Sequence, residues 1–270
     1  MPTGQPASET GQPTSAERCL LMITTVNLEK RYGHLVAIKN LNVHIEPGEF
    51  FGFLGPNGAG KTTTIKILVG LLKPSAGSAT IAGYDIQRAP QEAKRQIGFI
   101  PDRPFLYEKL SGREFLRFVA DLHGLEERPA RTRGEEFLEL FELAARGDEL
   151  IESYSHGMRQ KLVMCAALLH QPRVLVVDEP MVGLDPKGAR LVKRLLRGLC
   201  DRGTTIFMST HTLEVAEQMC DRIGIVQAGE LVALGTTEEL RQLVQSDVSR
   251  LEDIFLQLTG GTDMQETIPF

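Results

Sequence analysis

The sequence predicts an α/β fold in which a mainly parallel sheet is covered by helices on both faces and interrupted by an inserted helical subdomain. Three observations carry this. Short runs rich in Val, Ile and Phe recur at 50–54, 96–101, 174–177, 204–208 and 223–226 and read as strands. They are continuously apolar and separated by amphipathic stretches, the pattern of parallel strands buried on both sides. Between Pro104 and Leu169 the apolar positions, among them Phe115, Phe118, Val119 and Leu122, keep helical spacing throughout.

Taken in order, residues 1–18 hold Pro, Gly, Gln, Ser and Thr with almost nothing large and apolar. They cannot offset the entropy of ordering, so a flexible tail is expected to about residue 20, without the apolar stretch of a signal peptide. The main domain is then expected over 21–248, with its helical subdomain at about 103–169, and a C-terminal helix and tail over 249–270. A helix is expected over 62–72, another after Pro186 to near Cys200, and helical structure again over 236–258. No repeat at solenoid periods is present.

The 270 residues are 42% apolar and 24% charged, with 30 Lys plus Arg against 35 Asp plus Glu and a formal charge of -5. No global positive field exists to recruit nucleic acid or anionic lipid. The longest apolar run, 162–169, is far short of the roughly 18 residues a membrane span needs. Cys19, Cys165, Cys200 and Cys220 form no CxxC pair, and the last three lie in apolar segments, which points to reduced thiols, a cytoplasmic setting and no zinc.

The chemistry concentrates in two segments. Gly55, Pro56, Asn57, Gly58, Ala59, Gly60, Lys61, Thr62 and Thr63 satisfy G-x-x-x-x-G-K-[ST] between a strand and a helix. In that context the backbone N–H groups wrap toward phosphate oxygens, and the helix start adds partial positive charge. Lys61 is expected to reach the β- and γ-phosphates and the Thr62 hydroxyl to ligate magnesium. Asp178 and Glu179 end the apolar run 174–177, where open α/β sheets bind ligands. Asp178 suits magnesium held through water, and Glu179 suits orienting or deprotonating an attacking water. The guanine-reading N-K-x-D sequence is absent, and the stretch between the two motifs is long for a small-molecule kinase.

With these motifs in this order, the chain after residue 20 resembles the ATP-binding cassette (ABC) family of ATPases. The resemblance implies a P-loop NTPase core with N-terminal antiparallel β strands, ATP and Mg2+ as ligands, and a head-to-tail dimer with an identical or related ATPase subunit. Tyr154-Ser-His-Gly-Met158 stands at the place of the family's L-S-G-G-Q signature, so Ser155 and Gly157 are expected to hold the γ-phosphate of ATP bound to the opposite subunit. Asp185, followed by Pro186, resembles the D-loop and also reads as a helix N-cap. His211 matches the switch histidine that supports Glu179, and Tyr32 matches the aromatic residue that stacks on adenine. Asp102 stands where the family most often has a glutamine that senses magnesium and the γ-phosphate. The Y-S-x-G-M loop and the segment 251–259 are similar to a branch that works with export-type permeases.

The function expected is therefore that of a cytoplasmic ATPase subunit, peripheral on the membrane, which powers movement of a substrate through separate permease subunits. A soluble ABC ATPase acting on ribosomes or nucleic acid, and a small-molecule P-loop kinase, are the rival readings. Phe105 and Tyr107, in a Pro-bounded loop, are expected to receive the permease or else to pack within the subdomain. Lys187, Arg190, Lys193, Arg194 and Arg197 recur at helical spacing and read as a solvated face.

Overall fold

The computed structural model describes residues 21–243 and 251–259. The expected tail and the rest of the C-terminal segment lie outside the described residues, as does Cys19. Strands β1 (Ile23–Tyr32), β2 (Leu35–Ile45), β4 (Ala76–Ile81) and β5 (Tyr84–Asp85) form an antiparallel sheet in the order β2-β1-β4-β5. Strands β3 (Phe50–Leu54), β6 (Ile97–Ile100), β7 (Val174–Asp178), β8 (Thr205–Thr210), β9 (Arg222–Gln227) and β10 (Glu230–Gly235) form a second sheet in the order β10-β9-β3-β8-β7-β6. Five of these are parallel, and β10 closes one edge as a hairpin on β9.

Successive side chains of the central strands enter two different cores, because strand side chains alternate. Phe51, Phe53, Val176 and Phe207 pack toward the antiparallel sheet and α1 (Lys61–Leu68), with Ile23, Ile45 and Ile65. Phe50, Leu175, Val177 and Met208 pack the opposite way, against residues of the helical layer such as Leu162, Val192 and Leu196. Hence the uninterrupted apolar runs. Each buried Phe or Val is worth about 1.5–3 kcal/mol. The helical layer comprises α3 (Gly112–Leu122), α4 (Glu127–Leu140), α5 (His156–Leu168) and α6 (Pro186–Asp201), while a short α2 (Pro90–Arg95) precedes β6. A third cluster packs α7 (Leu213–Met219), α8 (Thr237–Leu243) and α9 (Leu251–Leu258) near β9 through Ala216, Ile223, Leu240 and Ile254.

Several boundaries move. The helix expected over 62–72 ends at Leu68, because the chain turns left-handed at Gly70 (φ 68°). The strand expected over 204–208 continues to Thr210. The segment 104–169 is not helical throughout. Pro104 has no N–H to offer a helix, and α3 starts only at the capping box of Ser111 and Glu114, where the Ser111 N–H donates to Glu114 Oε2 at 2.7 Å. Two 3-10 turns, Ala144–Arg146 and Ile151–Ser153, then separate α4 from α5. Of the helical end, α8 and α9 are described, and 244–250 lie outside the described residues. Cys165, Cys200 and Cys220 are free thiols whose pKa values burial pushes up, that of Cys200 to about 11.

Candidate active site

Parallel register decides where the site lies. Leu54 pairs with Thr210, Ser209 with Asp178, and Val177 with Ile100. The residues that follow, Gly55, His211, Glu179 and Pro101, therefore emerge in a row at the C-terminal edge of β3, β8, β7 and β6, with neighbouring strands ~4.8 Å apart.

The loop over 55–63 is held by close approach. A Cβ at Gly55 would lie 2.3 Å from the Val226 carbonyl oxygen, and one at Gly60 would lie 2.5 Å from that of Ala37. Gly60 also adopts φ 104°, which favours glycine. Lys61 Nζ donates to the carbonyls of Gly55 at 2.6 Å and Pro56 at 3.2 Å, curling the loop around the ammonium. Burial lowers the Lys61 pKa, while Glu179 and Asp178 oppose that shift, so both carboxylates are within electrostatic reach of it. Thr62 is exposed in the first turn of α1, and Thr64 Oγ1 donates to the Gly60 carbonyl at 3.0 Å.

Asp178 is buried at the end of β7, and its Oδ1 accepts from Ser209 Oγ. Burial pushes its carboxyl up; the Ser209 hydrogen bond and Lys61 oppose this, and Asp102 and Glu179 add to it. Asp102, exposed beyond β6, thus lies within electrostatic reach of Asp178. Glu179 takes the left-handed conformation (φ 49°) unusual for a non-glycine residue. Its Oε2 accepts from Thr210 Oγ1 at 3.1 Å, and its Oε1 accepts from the His211 N–H at 2.8 Å and lies 2.7 Å from His211 Nδ1. Two further hydroxyls, Ser209 and Thr210, thereby belong to the site. Sequence reading missed them because it ended β8 at Met208; a Ser-Thr pair directly before a candidate histidine was the available signal.

Ser155, Gly157 and Asp185 form a second cluster. Ser155 caps α5, accepting from the Met158 N–H at 3.3 Å, and Asp185 caps α6, accepting from the Gly188 N–H at 3.1 Å. Gly157 presses on the loop between β7 and α6, a Cβ there lying 3.1 Å from the Gly183 carbonyl oxygen. The His156 ring fills the space beside Gly183, where a Cβ would meet its Cδ2 at 2.1 Å. Among the described residues, no hydrogen bond or ion pair joins this cluster to loop 55–63. Tyr32 ends β1 half-exposed, with Lys30 Nζ 5.1 Å from its ring centroid.

Beside the site runs a groove of about 480 Å³ whose walls include Leu71, Phe99, Phe105, Val119, Val163 and His170. Phe105 is 85% exposed, whereas Tyr107, 53% exposed, rests one edge on the subdomain. Tyr107 meets Phe118 edge-on with ring centroids 5.3 Å apart. In the same groove His123 and His170 stack at 3.8 Å, a pairing that sequence reading did not see. Of the basic stripe, Lys187 pairs with Glu142 at 2.6 Å and Arg197 with Asp201 at 2.8 Å and Asp221 at 2.9 Å.

Comparison with known proteins agrees with this arrangement. The family model described as ABC transporter matches residues 38–182. The chain is 42% identical over 219 residues, 81% of its length and 69% of the relative's, to daunorubicin resistance ATP-binding protein DrrA3 of Streptomyces coeruleorubidus. It is 38% identical to Nod factor export ATP-binding protein I of Burkholderia pseudomallei, over 82% of this chain and 72% of that one. A solved ATP-binding subunit of an ABC transporter superposes with a TM-score of 0.84 at 32% identity, covering 88% of this chain and 99% of that one. The dimeric cassette MJ0796, in a post-hydrolysis state bound to ADP and Pi, superposes with a TM-score of 0.73 at 27% identity, covering 80% and 98%. With a nucleotide-type glycine loop, two strand-end carboxylates and this shared fold, the chain belongs to the ABC transporter family as an ATP-binding, ATP-hydrolysing subunit.

Proposed function

We propose that this ATPase uses Mg2+ and ATP at the strand ends of β3, β7 and β8 to drive export of a substrate through a separate membrane permease, working as a head-to-tail dimer on the cytoplasmic face. The observation that carries the reading is the row formed by Lys61, Asp178, Glu179 and His211 at one sheet edge. Residues 55–63 would cradle the phosphates through backbone N–H groups, with Lys61 turning its ammonium from carbonyls to phosphate oxygens. Glu179, fixed by Thr210 and His211, would accept or steer the proton of the attacking water, and Tyr32 would stack on adenine.

The residues fit magnesium. Among the described residues no group of three His, Cys, Asp or Glu side chains closes on a metal, but magnesium is usually held by one or two carboxylates together with substrate phosphates. Asp178, Asp102 and the Thr62 hydroxyl are hard oxygen donors beside the loop, and burial of Asp178 makes a cation there favourable. When bound, the ion neutralises charge on the phosphate oxygens.

Ser155, Gly157 and Asp185 support the dimer: among the described residues they make no hydrogen bond or ion pair with loop 55–63, and their helix starts are free to serve a neighbouring chain's site. No helix among the described residues is long and apolar enough to cross a membrane, which fits permease subunits on other chains. Fractionation tests the reading: the protein is expected in membranes when its permease is co-produced and in the soluble fraction otherwise. Co-sedimentation with ribosomes instead, or phosphoryl transfer to an added small acceptor in preference to water, would overturn it.

A further inference from the structure

Gln160 is fully buried in the second turn of α5, yet its amide is only half satisfied. Its Nε2 donates to the Pro101 carbonyl at 3.4 Å, while its Oε1 has no hydrogen-bond partner. The NH2 side must face Pro101, because the alternative would set carbonyl against carbonyl. A buried amide with an orphaned oxygen costs stability that an apolar side chain of the same shape would not. No packing requirement explains a polar group there.

Its placement does suggest a role. Pro101 has no N–H and Pro104 lacks one too, so the loop leaving β6 has few donors with which to fix itself. The Pro101 carbonyl belongs to the peptide unit that leads into Asp102, and Gln160 grips that unit. At its far end α5 lies tight on β6, where a Cβ at Gly98 would come 2.5 Å from the Ala167 carbonyl oxygen. Gln160, Val163 and Ala167 share a face of α5, and Val163 and Ala167 line the groove that also holds Phe105.

We propose that Gln160 is a positioning residue: it ties the Pro101–Asp102 peptide to α5, so that the Asp102 carboxylate, the start of α5 and the groove wall shift as one unit. The proposal rests on the reading that Asp102 borders the metal-nucleotide site. Ser155 and Gly157 lie less than two turns from Gln160 on the same helix. The side chain therefore links the loop facing a chain's own nucleotide to the helix start assigned to the neighbour's.

The test compares the intact protein with Gln160→Met, Gln160→Glu and Asp102→Asn. Gln160→Met removes the orphaned oxygen along with the tie, so its Tm should match or exceed that of the parent. Backbone order parameters at Asp102 and Arg103, read by 15N relaxation in nucleotide-free protein, should fall once the Pro101 carbonyl is released. The Mg2+ concentration for half-maximal ATPase should shift by about two- to tenfold, the worth of one hydrogen bond. In Gln160→Glu only the protonated acid can donate to Pro101, so activity relative to the parent should recover as pH falls. Unchanged order parameters and an unchanged Mg2+ titration in Gln160→Met would overturn the proposal, as would a fall in Tm that accounts for the whole loss of activity. A metal shift in Asp102→Asn without one in Gln160→Met rejects the role of Gln160 alone. No shift in either variant rejects the placement of Asp102 and the proposal with it.

Discussion

His211 holds Glu179 through one carboxylate oxygen: its backbone N–H and its Nδ1 approach the same Oε1, at 2.8 Å and 2.7 Å. The other oxygen takes the Thr210 hydroxyl. Glu179→Gln preserves the shape and an oxygen acceptor but loses the basic carboxylate. Hydrolysis should fall by about 10²–10⁴-fold, the usual worth of a general base, while ATP binding survives and ATP-loaded dimers accumulate. Lys61→Ala should fail differently, weakening ATP binding itself. Steady-state ATPase and nucleotide-binding assays separate the two, and near-normal turnover by Glu179→Gln would remove that residue from the mechanism.

Asp102 adds a negative charge within electrostatic reach of Asp178, where the family more often has glutamine. Asp102→Gln should shift the Mg2+ dependence of ATPase and leave ATP binding in place. Identical metal titrations for the two proteins would show that Asp102 does not act on the metal.

Phe105 and Tyr107 present aromatic surface beside an open groove, as expected of anchors for a partner helix. Phe105→Ala and Tyr107→Ala should leave the isolated subunit folded and ATP-binding while lowering its recovery with the permease and any permease-stimulated turnover. Wild-type co-purification by both variants, or unfolding of both, would end the docking assignment.

His170 is held neutral. Burial, then His123, and more weakly Arg133 depress its pKa from 6.5 to about 4, against the hydrogen bond to Ile97 that raises it. A base whose folded pKa is depressed contributes fully above its unfolded pKa and loses that contribution as pH falls toward the folded one. Wild-type Tm should therefore drop between pH 6.5 and about 4 more steeply than that of His170→Phe, whose ring can stack on His123 but cannot charge. Parallel Tm slopes would mean that the protonated ring is accommodated without cost.

What the sequence made legible was short-range or strongly patterned. Residues 55–63 lie between an apolar strand and a helix, so motif and context are read together, and the Asp185-Pro186 pair announces the start of α6. β4 was not legible as a strand, because Ala76-Gly-Ser-Ala-Thr-Ile81 has little β propensity and owes its conformation to pairing with β1. Ser209 and Thr210 read as loop because polar residues at a strand end lack the apolar signal, although both are buried. Gln160 carries no signal of burial in the sequence; its burial depends on how closely α5 approaches β6. The packing of Gly157 against Gly183, which brings Ser155 and Asp185 into one cluster, likewise depends on the third dimension.

The His156 ring beside Gly183 has a consequence for how this loop can vary. Gly183 is left-handed (φ 77°), and the space a methyl group would need is already taken by the imidazole. A side chain can enter at 183 only after the ring at 156 has been trimmed, whereas 156 can shrink freely while 183 remains glycine. The two positions therefore have a one-way order of substitution. In a library that randomises both, survivors with anything other than glycine at 183 should be confined to those carrying a small residue at 156.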